Sequence, residues 1–403
     1  MKPNYRCYLL CGLLSALITL GPQTAAQQAT PSPAGIDEKS LSLQERLGLK
    51  LFFDTRLSEP AGQSCASCHD PAKAFTGNNG TAIGVALGSR PGTFGTRDTP
   101  TAMYLATAPR FGSTVKDGKT VPAGGLFWDG RADTLEDQAK GPFFNPLEMN
   151  NPSVPALITK VLQGPYAAEF RQLWGAKIFD QPDAALDAVA ASIAAFERTR
   201  VFQPFTSKFD YVMRGKAKFT EQEQRGLSLF TIRQKGNCAH CHTVDEASRD
   251  PAKSLFTDFG YHALGAPRSQ RIPRNAADTT FMDMGLCERA PMSGKQAVKD
   301  ENHCGLFKTP TLRNIALTAP YMHNGVFDNL RDVVAFYATR DTDPLKWYPD
   351  GKKFNDLPSI FHGNVDVDTP PYQRRPKQRP QLNDEEIDDI VAFLKTLTDG
   401  HKP

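Results

Sequence analysis

The chain has 403 residues, a formal net charge of +3, 40% hydrophobic and 23% charged residues. That length supports two or three domains with cores of their own. The near-neutral balance gives no basis for nucleic-acid binding or attachment to an anionic surface. Lys2 and Arg6 precede an apolar run from Leu9 to Leu20 and the small residues Thr24-Ala25-Ala26. This is the form of a secretory signal, so 1–26 is expected to be a cleaved signal peptide, with a retained anchor helix as the alternative. Thr30-Pro31-Ser32-Pro33-Ala34-Gly35 marks 27–40 as a flexible leader. The mature product is expected to be periplasmic with no membrane span. Cys7 and Cys11 leave with the signal. Cys287 and Cys304 are expected to pair in an oxidising compartment, two unrelated buried thiols being the alternative.

The next elements repeat. Leu43, Leu47 and Leu51 recur at helical spacing, and Gly48-Leu49-Lys50-Leu51-Phe52 closes a helix ahead of Cys65-Ala66-Ser67-Cys68-His69. Gly226-Leu227-Ser228-Leu229-Phe230 stands in the same relation to Cys238-Ala239-His240-Cys241-His242. Each pentapeptide is C-x-x-C-H, the attachment motif of c-type haem: two thiols add to the porphyrin and the histidine ligates iron. Zinc knuckles are the alternative, but zinc wants four closed ligands and no second CxxC lies near either motif. Asp183 to Phe202 reads as a packing or connecting helix, with Leu186, Val189, Ile193 and Phe196 on one face. Asn383 as N-cap with Glu386 opens a last helix striped by Ile387, Ile390, Val391, Leu394 and Leu397. Gly- and Pro-rich stretches at 77–100, 109–125 and 349–380 read as irregular connections, and strand signals are sparse. The expected fold is mainly α. It comprises two c-type cytochrome-like haem domains with long irregular loops, the first over 41–205 with its connecting helix and the second over 206–403.

What each iron can do depends on its second ligand: two protein ligands suit electron transfer, and an open face suits activation of a small molecule. His69 and His242 are the proximal ligands. No histidine lies between His69 and His240, so the first haem is expected to be open, with Met103 and Met149 as alternative ligands.

Trp128-Asp129-Gly130-Arg131-Ala132-Asp133-Thr134-Leu135-Glu136, with Pro142 and Asn145-Pro146-Leu147-Glu148-Met149, resembles the bacterial dihaem cytochrome c peroxidases and their MauG-type relatives. Thr309-Pro310-Thr311-Leu312-Arg313-Asn314 and Ala319-Pro320-Tyr321-Met322-His323-Asn324-Gly325 extend the resemblance, which covers roughly residues 40–400. It implies two haem domains in contact and a peroxide-reactive first haem. Glu148 would be the distal acid/base, Gln138 would hold a bound oxygen or water, and Trp128 would pass electrons between the haems. A calcium ion would be held by Asp98, where the family usually has Asn, and by the carbonyls of Thr318 and Pro320; a carboxylate is a good ligand for it too. Without the resemblance, Glu148 would read as a loop carboxylate, Trp128 and Tyr337 as core aromatics and Asp98 as a turn residue.

Peroxidases that draw on small cytochromes carry a methionine fourteen residues after the His-x-Gly histidine. Counting from His323 gives Tyr337, the MauG-like choice for the second iron, with Met322, Met282, Met284 and Met292 as rivals. A phenolate stabilises ferric iron more than a thioether does. The histidine that those peroxidases place in the loop after the first motif is absent from Phe75 to Arg97. The resulting expectation is an exported enzyme that activates hydrogen peroxide at the His69 haem. The two oxidising equivalents are shared with the His242/Tyr337 haem and oxidise an external redox protein or protein substrate. A peroxide-scavenging cytochrome c peroxidase is the alternative, and a plain dihaem electron carrier is the alternative of another class.

Overall fold

The computed structural model describes Met1 and residues 36–292 and 300–402. The expected signal peptide and most of the leader lie outside the described residues. The longer helices are α1 (Leu43–Phe52), α2 (Leu135–Phe144), α3 (Val154–Leu162), α4 (Ala167–Trp174), α5 (Pro182–Glu197), α6 (Glu221–Thr231), α7 (Leu330–Thr339) and α8 (Asp384–Lys395). Two short antiparallel pairs accompany them: β1 (Gly112–Lys116) with β2 (Lys119–Ala123), and β3 (Tyr261–His262) with β4 (Phe307–Lys308). The protein is therefore mainly helical. Among the described residues no helix is long and apolar enough to cross a membrane.

Local chemistry starts the helices that matter. Ser42 with Glu45, Thr220 with Glu223 and Asn383 with Glu386 form reciprocal capping boxes at α1, α6 and α8. Each satisfies two backbone N–H groups that the first turn would leave unpaired.

The apolar side chains of Ser32–Pro403, one compact unit, divide between two main cores. One draws its buried residues from Leu41 to Phe202 and the other from Phe209 to Leu397. Each is organised by a glycine. A Cβ on Gly48 of α1 would lie 1.9 Å from the Ser192 carbonyl oxygen of α5, and one on Gly226 of α6 would lie 2.0 Å from that of Asp389 in α8. Only glycine lets these helix pairs cross so closely. Gly48→Ala or Gly226→Ala is expected to cost about 1–3 kcal/mol or more, because a whole helix must shift. A denaturant midpoint equal to the parent's would show that the close crossing is dispensable.

Two expectations are corrected. The helix read over Asp183 to Phe202 ends at Glu197. There the Thr199 hydroxyl donates to the Phe196 carbonyl at 2.7 Å, and the turn swings Phe202 against Phe52, Phe75 and Phe196. The stretch 109–125, read as irregular, holds the β1–β2 hairpin. Its two-residue turn is Asp117-Gly118, both at positive φ (49° and 74°), the backbone that suits the twist of a hairpin.

Cys287 and Cys304 form a disulfide, as expected. Arg313 and Asn314 of the Thr-Pro-Thr-Leu-Arg-Asn motif serve architecture. The wholly buried Arg313 guanidinium pairs with Asp210 at 2.6 Å and donates to the Ser254 and Pro251 carbonyls. The Asn314 amide donates to Asp399 at 2.8 Å and lies 3.4 Å from the Met103 sulfur.

Candidate functional site

The two C-x-x-C-H motifs sit in matched surroundings. The His69 Nδ1 lies 2.9 Å from the Phe75 carbonyl oxygen, and the His242 Nδ1 lies 2.9 Å from that of Phe256. A carbonyl can only accept, so Nδ1 carries the proton in both rings and Nε2 keeps its lone pair for a metal. Burial pushes His69 below its ordinary value and His242 down to about 4, the carbonyls opposing. Both imidazoles are neutral near pH 7, the form that binds iron.

The carbonyls are aimed by strained backbone: Phe75 and Phe256 have φ of 53° and 54°, a region that bulky residues rarely adopt. A threonine brace holds each one. Thr101 Oγ1 donates to the Ala74 carbonyl and Thr311 Oγ1 to that of Leu255, both at 2.6 Å. Thr76 and Thr257 hydroxyls donate in turn to the Thr99 and Thr309 carbonyls. These residues were missed from sequence, although a Phe-Thr pair follows each motif (75–76, 256–257) and Thr-Pro-Thr is present twice (99–101, 309–311).

Around the second motif the walls enclose a cavity. Cys238, Cys241, His242, Tyr337 and Trp128 all line it, with apolar walls from Phe230, Leu330, Val334 and Ile390. Cys238, Cys241, His242 and Tyr337 are only half-buried, and the cavity accounts for their accessible surface. Two cysteines, a neutral histidine and a phenol around an apolar space suit a covalently held haem with two axial ligands. Burial, and then charge on the Cys241 and Cys238 sulfurs, push the Tyr337 phenol above its ordinary value. Thioether formation removes the sulfur contribution. The Tyr372 hydroxyl and Arg340 guanidinium work the other way; that hydroxyl is close enough to act on Tyr337 without completing a well-formed hydrogen bond. Of the rival thioethers, Met322 lines the cavity, whereas Met282, Met284 and Met292 do not. A zinc reading finds no support: among the described residues only Asp258 and His262 gather with a motif cysteine, Cys241, and Asp258 is already paired with Lys116 at 2.6 Å.

At the first motif Cys65, Cys68 and His69 are half-buried. Glu148 sits in the turn after α2, where its backbone N–H donates to the Asn145 carbonyl and its own carbonyl accepts from Ser89. The Asn145 amide donates to its carboxylate at 2.7 Å. Burial raises the Glu148 pKa, with Arg131 and Asn145 opposing. Its charge in turn helps raise the pKa of Cys68, after burial, so the carboxylate and this motif share one region. Gln138 lies half-buried on α2. Met103 and Met149 are buried within the first core.

Trp128 Nε1 donates to the Asp98 carbonyl at 2.9 Å, and the Trp128 carbonyl accepts from the Lys308 N–H at 2.8 Å. Around it Arg97 bridges Asp129 and Asp283 at 2.7 and 2.6 Å. Burial works against ionisation of Asp129, but Arg97 and Arg131 hold it below the ordinary range. Asp98 is buried, and its carboxyl is pushed well above the ordinary range by that burial, with the Asn78 amide at 3.0 Å opposing. No basic side chain among the described residues pairs with it. A buried hard-oxygen donor without a basic partner suits a cation such as calcium, which would hold it ionised. The Asp98 N–H donates to the His323 carbonyl, tying this loop to the turn that follows Thr318 and Pro320.

Two cysteine–histidine centres in one mainly helical chain define a two-haem c-type protein. Residues 42–218 match the family described as di-haem cytochrome c peroxidase. The methylamine utilization protein MauG of Paracoccus denitrificans is 38% identical over 359 residues, covering 88% of each chain. The cytochrome c551 peroxidase of Nitrosomonas europaea is 29% identical over 405 residues, covering 100% of this chain and 93% of the relative. The crystal structure of the diheme peroxidase BthA from Burkholderia thailandensis superposes with a TM-score of 0.84 at 41% identity, covering 90% of this chain and 89% of that one. The chain belongs to the di-haem cytochrome c peroxidase/MauG family and is a haem-dependent oxidoreductase.

Proposed function

We propose that this is an exported, MauG-like enzyme that activates hydrogen peroxide at the His69 centre and oxidises an external redox protein or protein substrate through the His242 centre. The observation that carries the reading is Tyr337, a phenol in the cavity that also holds Cys238, Cys241 and His242. In this reading 41–205 and 206–403 are the two haem domains, anchored by Cys65 and Cys68 and by Cys238 and Cys241. Bound haem supplies the iron at which the peroxide O–O bond is broken. Glu148 takes the proton from the inner peroxide oxygen and returns it to the outer one, a transfer that suits a buried carboxylate. Gln138 offers its amide as a hydrogen-bond donor to the bound oxygen. Trp128 carries electrons between the centres, with its indole N–H fixed by Asp98. Asp98, with the Thr318 and Pro320 carbonyls, holds calcium, and metal analysis of the holoprotein without calcium would remove that part.

An open first centre is supported by the histidines, since His262 and His323 both line the second cavity. Electron paramagnetic resonance of the as-isolated holoprotein tests the reading. One high-spin and one low-spin ferric signal are expected. A wholly low-spin spectrum with no peroxide response would leave a plain electron carrier. Turnover of reduced cytochrome c only after partial reduction of the enzyme would favour a scavenging peroxidase.

A further inference from the structure

We propose that Tyr372 is a positioning residue for the second haem, its hydroxyl donating a hydrogen bond to the Tyr337 phenolate oxygen and so setting how strongly that oxygen binds iron. This rests on the reading that Tyr337 is an axial ligand, and deepens it.

Tyr372 lines the same cavity as Tyr337, Cys238, Cys241 and His242. The two phenol rings have centroids 5.6 Å apart with planes inclined by 31°. The Tyr372 side chain is buried, at 5% exposure, and its hydroxyl has no hydrogen-bond partner. A buried hydroxyl left unpaired is costly, and such groups in native proteins mark an absent partner. The ring is held in place: its backbone N–H donates to the Thr369 carbonyl at 2.8 Å, and the Arg340 guanidinium lies 4.0 Å from its centroid. Arg340 is itself fully buried, bound to Asp341 and to the Leu264 carbonyl. Tyr372 is thus a fixed donor on the cavity wall whose hydroxyl makes no completed hydrogen bond. An anionic oxygen one ring away satisfies it, because a phenolate accepts hydrogen bonds more strongly than a neutral phenol.

The consequence has a sign. A hydrogen bond on the phenolate draws electron density from the oxygen and weakens its donation to ferric iron. The ferrous state, which leaves more charge on that oxygen, gains more from the bond. Tyr372 therefore raises the reduction potential of the second haem above that of an unassisted tyrosinate centre.

Tyr372→Phe and Tyr337→Phe holoenzymes test this, with equal haem content as the folding check. In Tyr372→Phe the phenolate–iron charge-transfer band is expected to persist and shift. The ferric/ferrous equilibrium of the second haem should move roughly tenfold toward ferric, the worth of one hydrogen bond to a charged group. Tyr337→Phe should lose the band. If the band is lost in Tyr372→Phe, Tyr372 is the ligand and the inference fails. If the equilibrium moves while the band does not, the hydroxyl serves another part of the haem and the inference fails. If Tyr337→Phe loses the band but Tyr372→Phe changes nothing, the inference falls and Tyr337 ligation stands. A band kept unchanged in Tyr337→Phe overturns both.

Discussion

Glu148→Gln is expected to slow the reaction of the resting holoenzyme with hydrogen peroxide by roughly 10²- to 10⁴-fold, the usual worth of a positioned general acid–base. The variant keeps the side chain's length and its oxygen acceptor for the Asn145 amide, which now lies 2.7 Å away. The turn should therefore survive, and resting spectra of both haems should match the parent. What is lost is ionisation, since an amide cannot take the peroxide proton. Burial raises the Glu148 pKa, so the parent's rate should fall as pH drops through a value above that of an ordinary glutamate. Above that value the carboxylate is charged and the rate levels off. The variant should lack this limb. Stopped-flow mixing with peroxide across pH reads both effects; a variant within about threefold of the parent would remove Glu148 from the reaction.

Tyr337→Met should produce the second large effect, raising the midpoint potential of the low-spin haem by on the order of 100 mV or more, since axial ligands span about 0.8 V. An anionic oxygen stabilises ferric iron and a neutral thioether does not. The higher potential should make the second haem reducible by a small cytochrome and shift the enzyme toward the scavenging behaviour of its peroxidase relatives. Spectroelectrochemical titration gives the potential. An unchanged value would take the ligand role from Tyr337 and leave Met322 as the thioether that lines the cavity.

Much of the architecture was legible because it rests on local chemistry. The helix ahead of each motif, the glycine inside it and the Asn383–Glu386 capping box are written in spacings of three and four residues. Asp117-Gly118 carried a hairpin signal of the same kind, overlooked because the surrounding stretch reads as irregular. The braces behind His69 and His242 were harder to find. Phe75 and Phe256 stand 6 and 14 residues after their histidines, so the duplication is out of register in the sequence and comes into register only where two carbonyls meet two imidazoles.

The amino-acid sequence determined by itself the two attachment motifs, the helix ahead of each and the resemblance that nominates Glu148, Gln138, Trp128 and Tyr337. Those features are local, or they are patterns of residue identity. Tertiary structure alone decided that Tyr337 shares a cavity with Cys238, Cys241 and His242, that Trp128 is tied to Asp98, and that Tyr372 faces Tyr337 with an unpaired hydroxyl. The reason is distance along the chain: these groups are separated by tens of residues. Whether a buried polar atom has a partner is a property of packing, which no local window contains.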